Sequence, residues 1–224
     1  YDDIPALELL AGRVSAVTTE FENVPAATLD WLGSHLICRP SSQAVAIAQD
    51  RIREKAFLRS HGLATADFEP VSSADALEAA WDRIGAPALL KTSRLGYDGK
   101  GQAVVDRIED ARLAFERFGA VACVLERRLD LETEVSVVLA RGTDGIVAAF
   151  PVGENVHRNG ILHTTLVPAT VTNAVARMAL ETATRVADEL EFVGVLGVEM
   201  FVADGGRIFV NEIAPRPHNS GHLT

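Results

Sequence analysis

Glu199 and Glu212 lie on either side of Asp204-Gly205-Gly206, a turn signal between two apolar segments. Strands over 195–202 and 207–213 therefore pair as a hairpin that sets the two glutamates face to face. Directly opposed residues have Cβ atoms about 4.5–5.5 Å apart, and like charges so placed are destabilising. At roughly 5 Å and an effective dielectric near 20 the repulsion is on the order of 3 kcal/mol, which calls for a cation, a shared proton or solvation. Hard oxygen donors on a rigid hairpin suit Mg²⁺, which takes one or two carboxylates and fills its shell with phosphate oxygens and water. The apolar flanks, Val193 to Leu196 and Ile208 to Val210, put the pair on a covered sheet rather than a solvated face. Asn211 points away from Glu212 in a regular strand, so spacing alone gives it no ligand role.

A second constellation is the run Gly96, Tyr97, Asp98, Gly99, Lys100, Gly101 and Gln102 between two strands. Its glycines allow backbone N–H groups to approach a phosphate. It is neither a Walker loop nor a dinucleotide fingerprint, so a plain hairpin loop remains an alternative. Lys91 ends the apolar strand 88–91, where an inward ammonium needs an anion such as phosphate, unless it snorkels to water. Glu126 ends the strand 123–126 at a junction between modules, and Glu134 opens the next strand. Either carboxylate could instead pair with Arg127 or Arg128. Arg216, His218, Asn219, Ser220 and His222 follow the Glu212 strand within a few residues. A guanidinium fork there can hold carboxylate or phosphate oxygens, and imidazoles exchange protons near neutrality. A polar loop, residues 19–25, follows an early strand and carries Glu20.

Elements must hold these groups in place. Residues 4–10 are apolar-periodic, a strand falls near 14–18, a helix opens at Pro25, and residues 41–61 support one or two helices closed by Gly62. Then come strand 68–71, helix 74–84, strand 88–91, strand 102–105, helix 109–118 and strand 123–126. Strands 134–140 and 146–152, a loop around His157, and strand 161–166 follow. In a helix over 172–190, Val175, Met178, Thr182, Val186 and Leu190 form a core-facing stripe. Two strands close the chain.

The 224 residues correspond to roughly one and a half domains. With 48% hydrophobic and 23% charged residues the composition is globular. The net charge of −10 opposes non-specific nucleic-acid binding, so a phosphate ligand needs a local basic site. Cys38 and Cys123 have no metal-ligand spacing, which suits a reducing cytosol. No apolar stretch is long enough to span a membrane, and no export signal opens the chain, so a cytoplasmic protein is expected. The missing initiator Met suggests that a leading segment is absent.

The strings Glu20-Phe21-Glu22-Asn23-Val24-Pro25, Gly96 to Gln102, and Asn211-Glu212-Ile213-Ala214-Pro215-Arg216-Pro217-His218-Asn219-Ser220-Gly221-His222 together resemble the N5-carboxyaminoimidazole ribonucleotide synthetases of bacterial and fungal purine biosynthesis. The resemblance implies an α/β (α+β) chain with an ATP-grasp fold and a remnant of an N-terminal Rossmann-like pre-ATP-grasp domain. Residues 1–40 would be that remnant and 41–224 the ATP-grasp domain. Its small lid subdomain would cover about 67–126 and its large subdomain about 127–224, with the family's C-terminal domain absent. Carried over by position, Arg51, Lys91, the loop Gly96–Gln102 and His157 would contact nucleotide. Glu126, Arg127, Arg128 and Leu129 would form the adenine-side hinge, Glu134 would meet the ribose, and Asn211 would belong to an Asn-Glu nucleotide motif. Glu199 and Glu212 would hold magnesium. Glu20, Tyr97, Lys100, Arg216, His218, Asn219 and Ser220 would surround bicarbonate and aminoimidazole ribonucleotide, with Arg216, Lys100 and His218 nearest the chemistry.

The reaction so implied is ATP-driven carboxylation. Bicarbonate attacks the γ-phosphate to give carboxyphosphate, and the exocyclic amine of the imidazole captures the carboxyl group as ADP and phosphate leave. ATP and Mg²⁺ are the cofactors, without biotin; the partners are small molecules, with a homodimer expected and neither nucleic acid nor membrane. Rival expectations are another ATP-grasp ligase, such as a formate-using glycinamide ribonucleotide transformylase, and a non-catalytic nucleotide-binding protein.

Overall fold

The computed structural model describes residues 1–96, 100–158 and 160–222. Its first unit is small. Helix α1 (Ile4–Ala11) starts where the Asp3 carboxylate accepts the Ala6 N–H at 3.1 Å, an N-cap that satisfies a donor the helix leaves free. Strand β1 (Ala16–Val17), helix α2 (Ala26–Gly33) and strand β2 (Ile37–Cys38) follow, and the two strands pair in parallel. Leu7, Leu29, Leu32, Cys38 and Val45 form the core of this unit.

Helices α3 (Ser42–Ala48) and α4 (Arg51–Ser60) link it to the rest, capped by Ser41 and Asp50. Asp50 accepts the N–H groups of Ile52 and Arg53, and its carboxylate also receives the Ser93 hydroxyl at 2.6 Å. Gly62 ends the helix at φ +64°, the left-handed region that favours glycine.

The second unit contains β3 (Phe68–Val71), α5 (Ala74–Ile84), β4 (Ala88–Thr92), β5 (Gln102–Val105), α6 (Ile108–Arg117) and β6 (Cys123–Arg127). Its antiparallel sheet has the order β3-β6-β4-β5, and the apolar stripes of α5 and α6 pack on it around Leu77, Leu90, Phe115 and Leu125.

The third unit is a larger antiparallel sheet with the order β10-β9-β7-β11-β12. It comprises β7 (Leu131–Arg141), β8 (Val147–Ala149), which pairs on β7, β9 (Gly153–Arg158), β10 (Ile161–Leu166), β11 (Gly194–Ala203) and β12 (Arg207–Ala214). Helix α7 (Asn173–Glu189) covers one face. Strand β12 is the sheet's edge, and the linker after α4 satisfies it: Val210 N–H donates to the Ala64 carbonyl at 2.8 Å, and the Thr65 hydroxyl donates to the Val210 carbonyl at 2.9 Å.

Three sequence expectations change. The 146–152 strand is the short β8, and a separate strand begins at Gly153, so His157 lies in β9 rather than in a loop. The alternation of Asn155 (buried), Val156 (exposed) and His157 (half-buried) is a strand pattern. The face of α7 that meets the sheet is Val175, Ala179, Ala183, Val186, Ala187 and Leu190, whereas Met178 is 37% exposed and Thr182 half-buried. Small alanines let the helix sit close to the sheet, and Met178 turns away from it.

Candidate active site

Strands β11 and β12 do bring Glu199 opposite Glu212, but the ladder then slips: Met200 pairs with Val210, leaving Asn211 as an extra residue. A bulge of this kind re-aims a side chain and suspends alternation. Asn211 and Glu212 consequently line one cleft together, with Glu199 across from them. Asn211 hydrogen-bonds the Glu199 carboxyl, and its Oδ1 is buried without a hydrogen-bond partner among the described residues.

The cleft holds about 300 Å³ between the two larger sheets. Lys91, Lys100 and Gln102 face it from the small sheet, and Glu134, His157, Glu199, Asn211 and Glu212 from the large one. Arg216, His218 and Asn219 close one end. Leu89, Leu131 and Phe201 also line a second cavity of about 500 Å³, whose wall is Ala66, Pro87 and the linker residues Glu126, Arg127, Arg128, Leu129 and Asp130. The shared residues set the two volumes side by side: the first is polar and strongly charged, and the second mixes apolar side chains with Glu126, Arg127, Arg128 and Asp130.

Ionisable groups meet one another across the cleft. Glu212 Oε2 meets Arg51 Nη1 at 3.1 Å, and Glu199 Oε1 lies 3.5 Å from His218 Nε2. Burial and the Glu212 carboxylate push the Glu199 carboxyl up to about 7. For Glu212, burial is outweighed by the Arg51 guanidinium, which holds it below its ordinary value. His218 is driven down to about 4 by burial, so its ring is neutral near pH 7. The Glu134 carboxylate, 2.9 Å from His157 Nδ1, raises that imidazole despite its partial burial.

Lys91, 7% exposed, finds its anion inside the protein: its Nζ donates to Glu126 Oε2 at 3.0 Å. Burial lowers Lys91 while Glu126 opposes that. Burial also works against ionised Glu126, but Lys91 and Lys55 win and hold it at about 2. Neither Glu126 nor Glu134 pairs with Arg127 or Arg128; Arg127 goes to Asp67 at 3.2 Å. Glu126 Oε1 is buried without a hydrogen-bond partner among the described residues and sits in the wall of the second cavity.

A glycine makes the loop after β12 possible. A Cβ on Gly197 would stand 2.6 Å from His218 Cβ, so only glycine lets His218 lie over β11. The ring is then set by Ser220, whose hydroxyl is 2.8 Å from Nδ1. Arg216 Nε donates to Glu22 Oε2 at 3.0 Å, tying this loop to the first unit. Gln49 holds the Glu22 loop in turn through the carbonyls of Glu22 and Val24.

A partly apolar cavity bounded by Leu89, Leu131 and Phe201, beside a polar cleft with opposed carboxylates, buried cations and orphaned oxygens, suits a nucleotide. The family model described as an ATP-grasp domain matches residues 56–224. The chain belongs to the ATP-grasp family. Residues 1–49 match a model described as a ribonucleotide synthetase preATP-grasp domain. The N5-carboxyaminoimidazole ribonucleotide synthases of Brucella melitensis and Pseudomonas aeruginosa are each 42% identical to this ATP-grasp chain along its whole length, and it covers 62% and 61% of them. The chain thus spans about three fifths of the curated relatives it matches. A solved structure described as the ADP complex of an N5-carboxyaminoimidazole ribonucleotide synthetase aligns with a TM-score of 0.95 at 42% identity, covering 100% of this chain and 59% of that one. The synthase of Aspergillus clavatus in complex with ADP and 5-aminoimidazole ribonucleotide aligns at 0.88 and 29% identity, covering 97% and 57%.

Within this ATP-grasp cleft the expected site residues are unevenly distributed. Arg51, Lys91, Gly96, Lys100, Gln102, Glu134, His157, Glu199, Asn211, Glu212, Arg216, His218 and Asn219 share one wall-to-wall volume. Glu126, Arg127, Arg128 and Leu129 line the neighbouring one, and Ser220 is buried beneath His218. Gly101 takes φ +70° against the Thr92 side chain. Glu20 is exposed and lines neither volume, whereas Glu22 lines the cleft. Tyr97, Asp98 and Gly99 lie outside the described residues. Glu22, Gly197, Glu54 and Lys55 went unassigned from sequence. For the last two a signal existed: Leu58 follows at helical spacing, which places both charges on the buried face of α4.

Among the described residues no group of three or more His, Cys, Asp and Glu is arranged around a metal position. Glu199, Glu212 and the orphaned Asn211 Oδ1 nevertheless supply hard oxygen donors for an ion whose remaining shell is phosphate and water. The residues therefore fit Mg²⁺.

Proposed function

We propose that the chain is the ATP-grasp portion of an N5-carboxyaminoimidazole ribonucleotide synthase, which carboxylates the exocyclic amine of 5-aminoimidazole ribonucleotide with bicarbonate at the expense of ATP. The observation that carries this is the meeting, in one volume, of the carboxylate pair with Arg216, His218 and Asn219, beside a cavity of about 500 Å³ bounded by Leu89, Leu131 and Phe201.

In this reading the adenine lies in the slot between Leu89, Leu131 and Phe201, and the unpaired Glu126 Oε1 offers an acceptor on its wall. Glu134 faces the ribose. Arg51 and Lys91 supply positive charge where the triphosphate enters the cleft. Glu199, Glu212 and Asn211 would hold Mg²⁺, which when bound offsets charge on the transferring phosphoryl group. Bicarbonate oxygen attacks the γ-phosphorus, ADP leaves, and the resulting carboxyphosphate yields its carboxyl group to the amine with loss of phosphate.

Arg216 offers the anionic nucleophile the guanidinium N–H groups left over from Glu22 and the Pro217 carbonyl, which fix its direction. The Ser220 backbone N–H donates to His218 Nδ1 at 3.2 Å, so the neutral ring carries its hydrogen on Nε2 and serves as a hydrogen-bond donor toward the acceptor side. The same reading places the protein in the cytoplasm as a homodimer.

The test is an ADP-release assay with 5-aminoimidazole ribonucleotide and bicarbonate, run beside glycinamide ribonucleotide and formate. Turnover only with the second pair would replace this reading with a formate-using ligase. No ADP release with either, in a protein that still binds ATP, would favour a non-catalytic nucleotide-binding role.

A further inference from the structure

Lys55 is 1% exposed and lines neither cavity, yet it places an ammonium in the protein interior. Its Nζ lies 3.4 Å from Glu126 Oε2, the oxygen that also takes Lys91 Nζ at 3.0 Å. Two ammonium groups thus converge on one carboxylate oxygen. On its other side Lys55 donates to the Thr65 hydroxyl at 3.1 Å, and that hydroxyl donates to the Val210 carbonyl at 2.9 Å. Val210 is the residue immediately before the Asn211 bulge. A continuous chain of polar contacts therefore runs from Lys91 in the small sheet, through Glu126, Lys55 and Thr65, to the strand of the large sheet that carries Asn211 and Glu212.

Lys91 alone would already neutralise Glu126. A second buried ammonium adds desolvation cost, and a buried ionic group is often replaceable by an apolar one without loss of stability. Its placement accounts for it better than stability does. Lys55 joins the two sheets beside the cleft.

We propose that Lys55 is a positioning residue: it ties Glu126 to the β12 strand, so that Lys91 is held at the cleft in fixed relation to the carboxylate pair. The proposal rests on the nucleotide-binding part of the proposed function, not on the identity of the acceptor. Lys55 acts only through Glu126 and Lys91, and this separates it from a residue that merely stabilises the fold.

The test is a double-mutant cycle read as Mg-ADP affinity by calorimetry on the full chain. Lys55→Met is expected to weaken binding roughly tenfold when Lys91 is present, and by less than about twofold in a Lys91→Met background, since contacting residues couple non-additively. Equal losses in both backgrounds, or unchanged affinity in a folded Lys55→Met protein, would overturn the proposal. Should Lys55→Met fail to fold, Thr65→Val cuts the same tie while leaving the charge. It is expected to cost roughly threefold with the same dependence on Lys91, and Thr65→Ser to restore the affinity. Unaltered binding by Thr65→Val would overturn the proposal equally. Because only nucleotide affinity is read, the outcome does not depend on which acceptor or acid the ligase uses.

Discussion

Glu199 faces Glu212 directly across the β11–β12 ladder, and the bulged Asn211 beside Glu212 turns its amide onto Glu199 instead of to the far face of the sheet. Three oxygen-bearing side chains consequently share a cleft that a regular hairpin would have split between two faces. Their charges are held in tension: Arg51 favours ionised Glu212, while Glu212 and burial together disfavour ionised Glu199.

Glu212→Gln removes the charge but keeps the shape. The Glu199 carboxyl, at about 7 beside Glu212, is expected to fall toward the ordinary carboxylate range while staying above it, because its burial remains. Carboxyl carbon chemical shifts followed through a pH titration measure this. A Glu199 that titrates unchanged in Glu212→Gln would show that burial alone sets its acidity.

Lys91→Ala is expected to weaken ATP binding about ten- to a hundredfold, as charge-assisted contacts are worth roughly 1.5–3 kcal/mol. It also leaves Glu126 with Lys55 as its remaining cation partner. Calorimetric titration with Mg-ATP decides the matter, and an unchanged affinity removes Lys91 from the phosphate site.

Most of the helix and strand order was legible because each element carries a local signal: caps at Ser73 and Thr172, apolar strands at 88–91 and 123–126, and glycine turns. The opposition of Glu199 and Glu212 was legible from the turn between them. Asn211 came only through the resemblance and not from strand alternation, because a bulge suspends alternation without a local mark in the sequence. The partners of Lys91 and Glu126 were hidden for another reason. Lys55 reaches them from a helix more than thirty residues from either in sequence, and long-range ion pairs have no local pattern. Met178 falls on the helical stripe by spacing, but Ala179, Ala183 and Ala187 one position round the helix make the contact with the sheet.

Gly197→Ala should damage the loop rather than the nucleotide slot. The new Cβ would press on His218 Cβ, and overpacking of this kind costs roughly 1–3 kcal/mol. Denaturant unfolding measures that cost. Mg-ADP affinity is expected to hold within about twofold while turnover falls, because the proposed function puts His218 on the acceptor side; parallel losses of both would mean that the loop also orders the nucleotide.

Arg216→Lys keeps the charge and loses the fork that grips Glu22. Because a lysine cannot place two fixed donors on Glu22 Oε2 at once, turnover is expected to fall at least tenfold with ATP affinity preserved, a loss of about 1.4 kcal/mol in transition-state stabilisation. Steady-state kinetics with varied bicarbonate and imidazole ribonucleotide reads it. Wild-type rates in this variant would show that charge alone suffices at this position.

Glu54 gives a pH signature. Its Oε1 accepts the Ile213 N–H at 2.6 Å, its Oε2 is buried and unpaired among the described residues, and burial with repulsion from Glu212 raises it to about 8. A carboxyl raised on folding stabilises the native state when protonated: that contribution is complete below the unfolded value near 4.5 and is lost as pH rises through about 8. Glu54→Gln keeps an acceptor for Ile213 and cannot ionise. The melting temperature of the variant relative to wild type should therefore climb by on the order of 5 °C between these limits and level off above them. Groups such as His218 and Glu126 titrate in both proteins and cancel in the difference. A difference that stays flat from acid to alkaline pH would mean that Glu54 is already ionised at its position between α4 and β12, with Arg51 and Lys55 neutralising it.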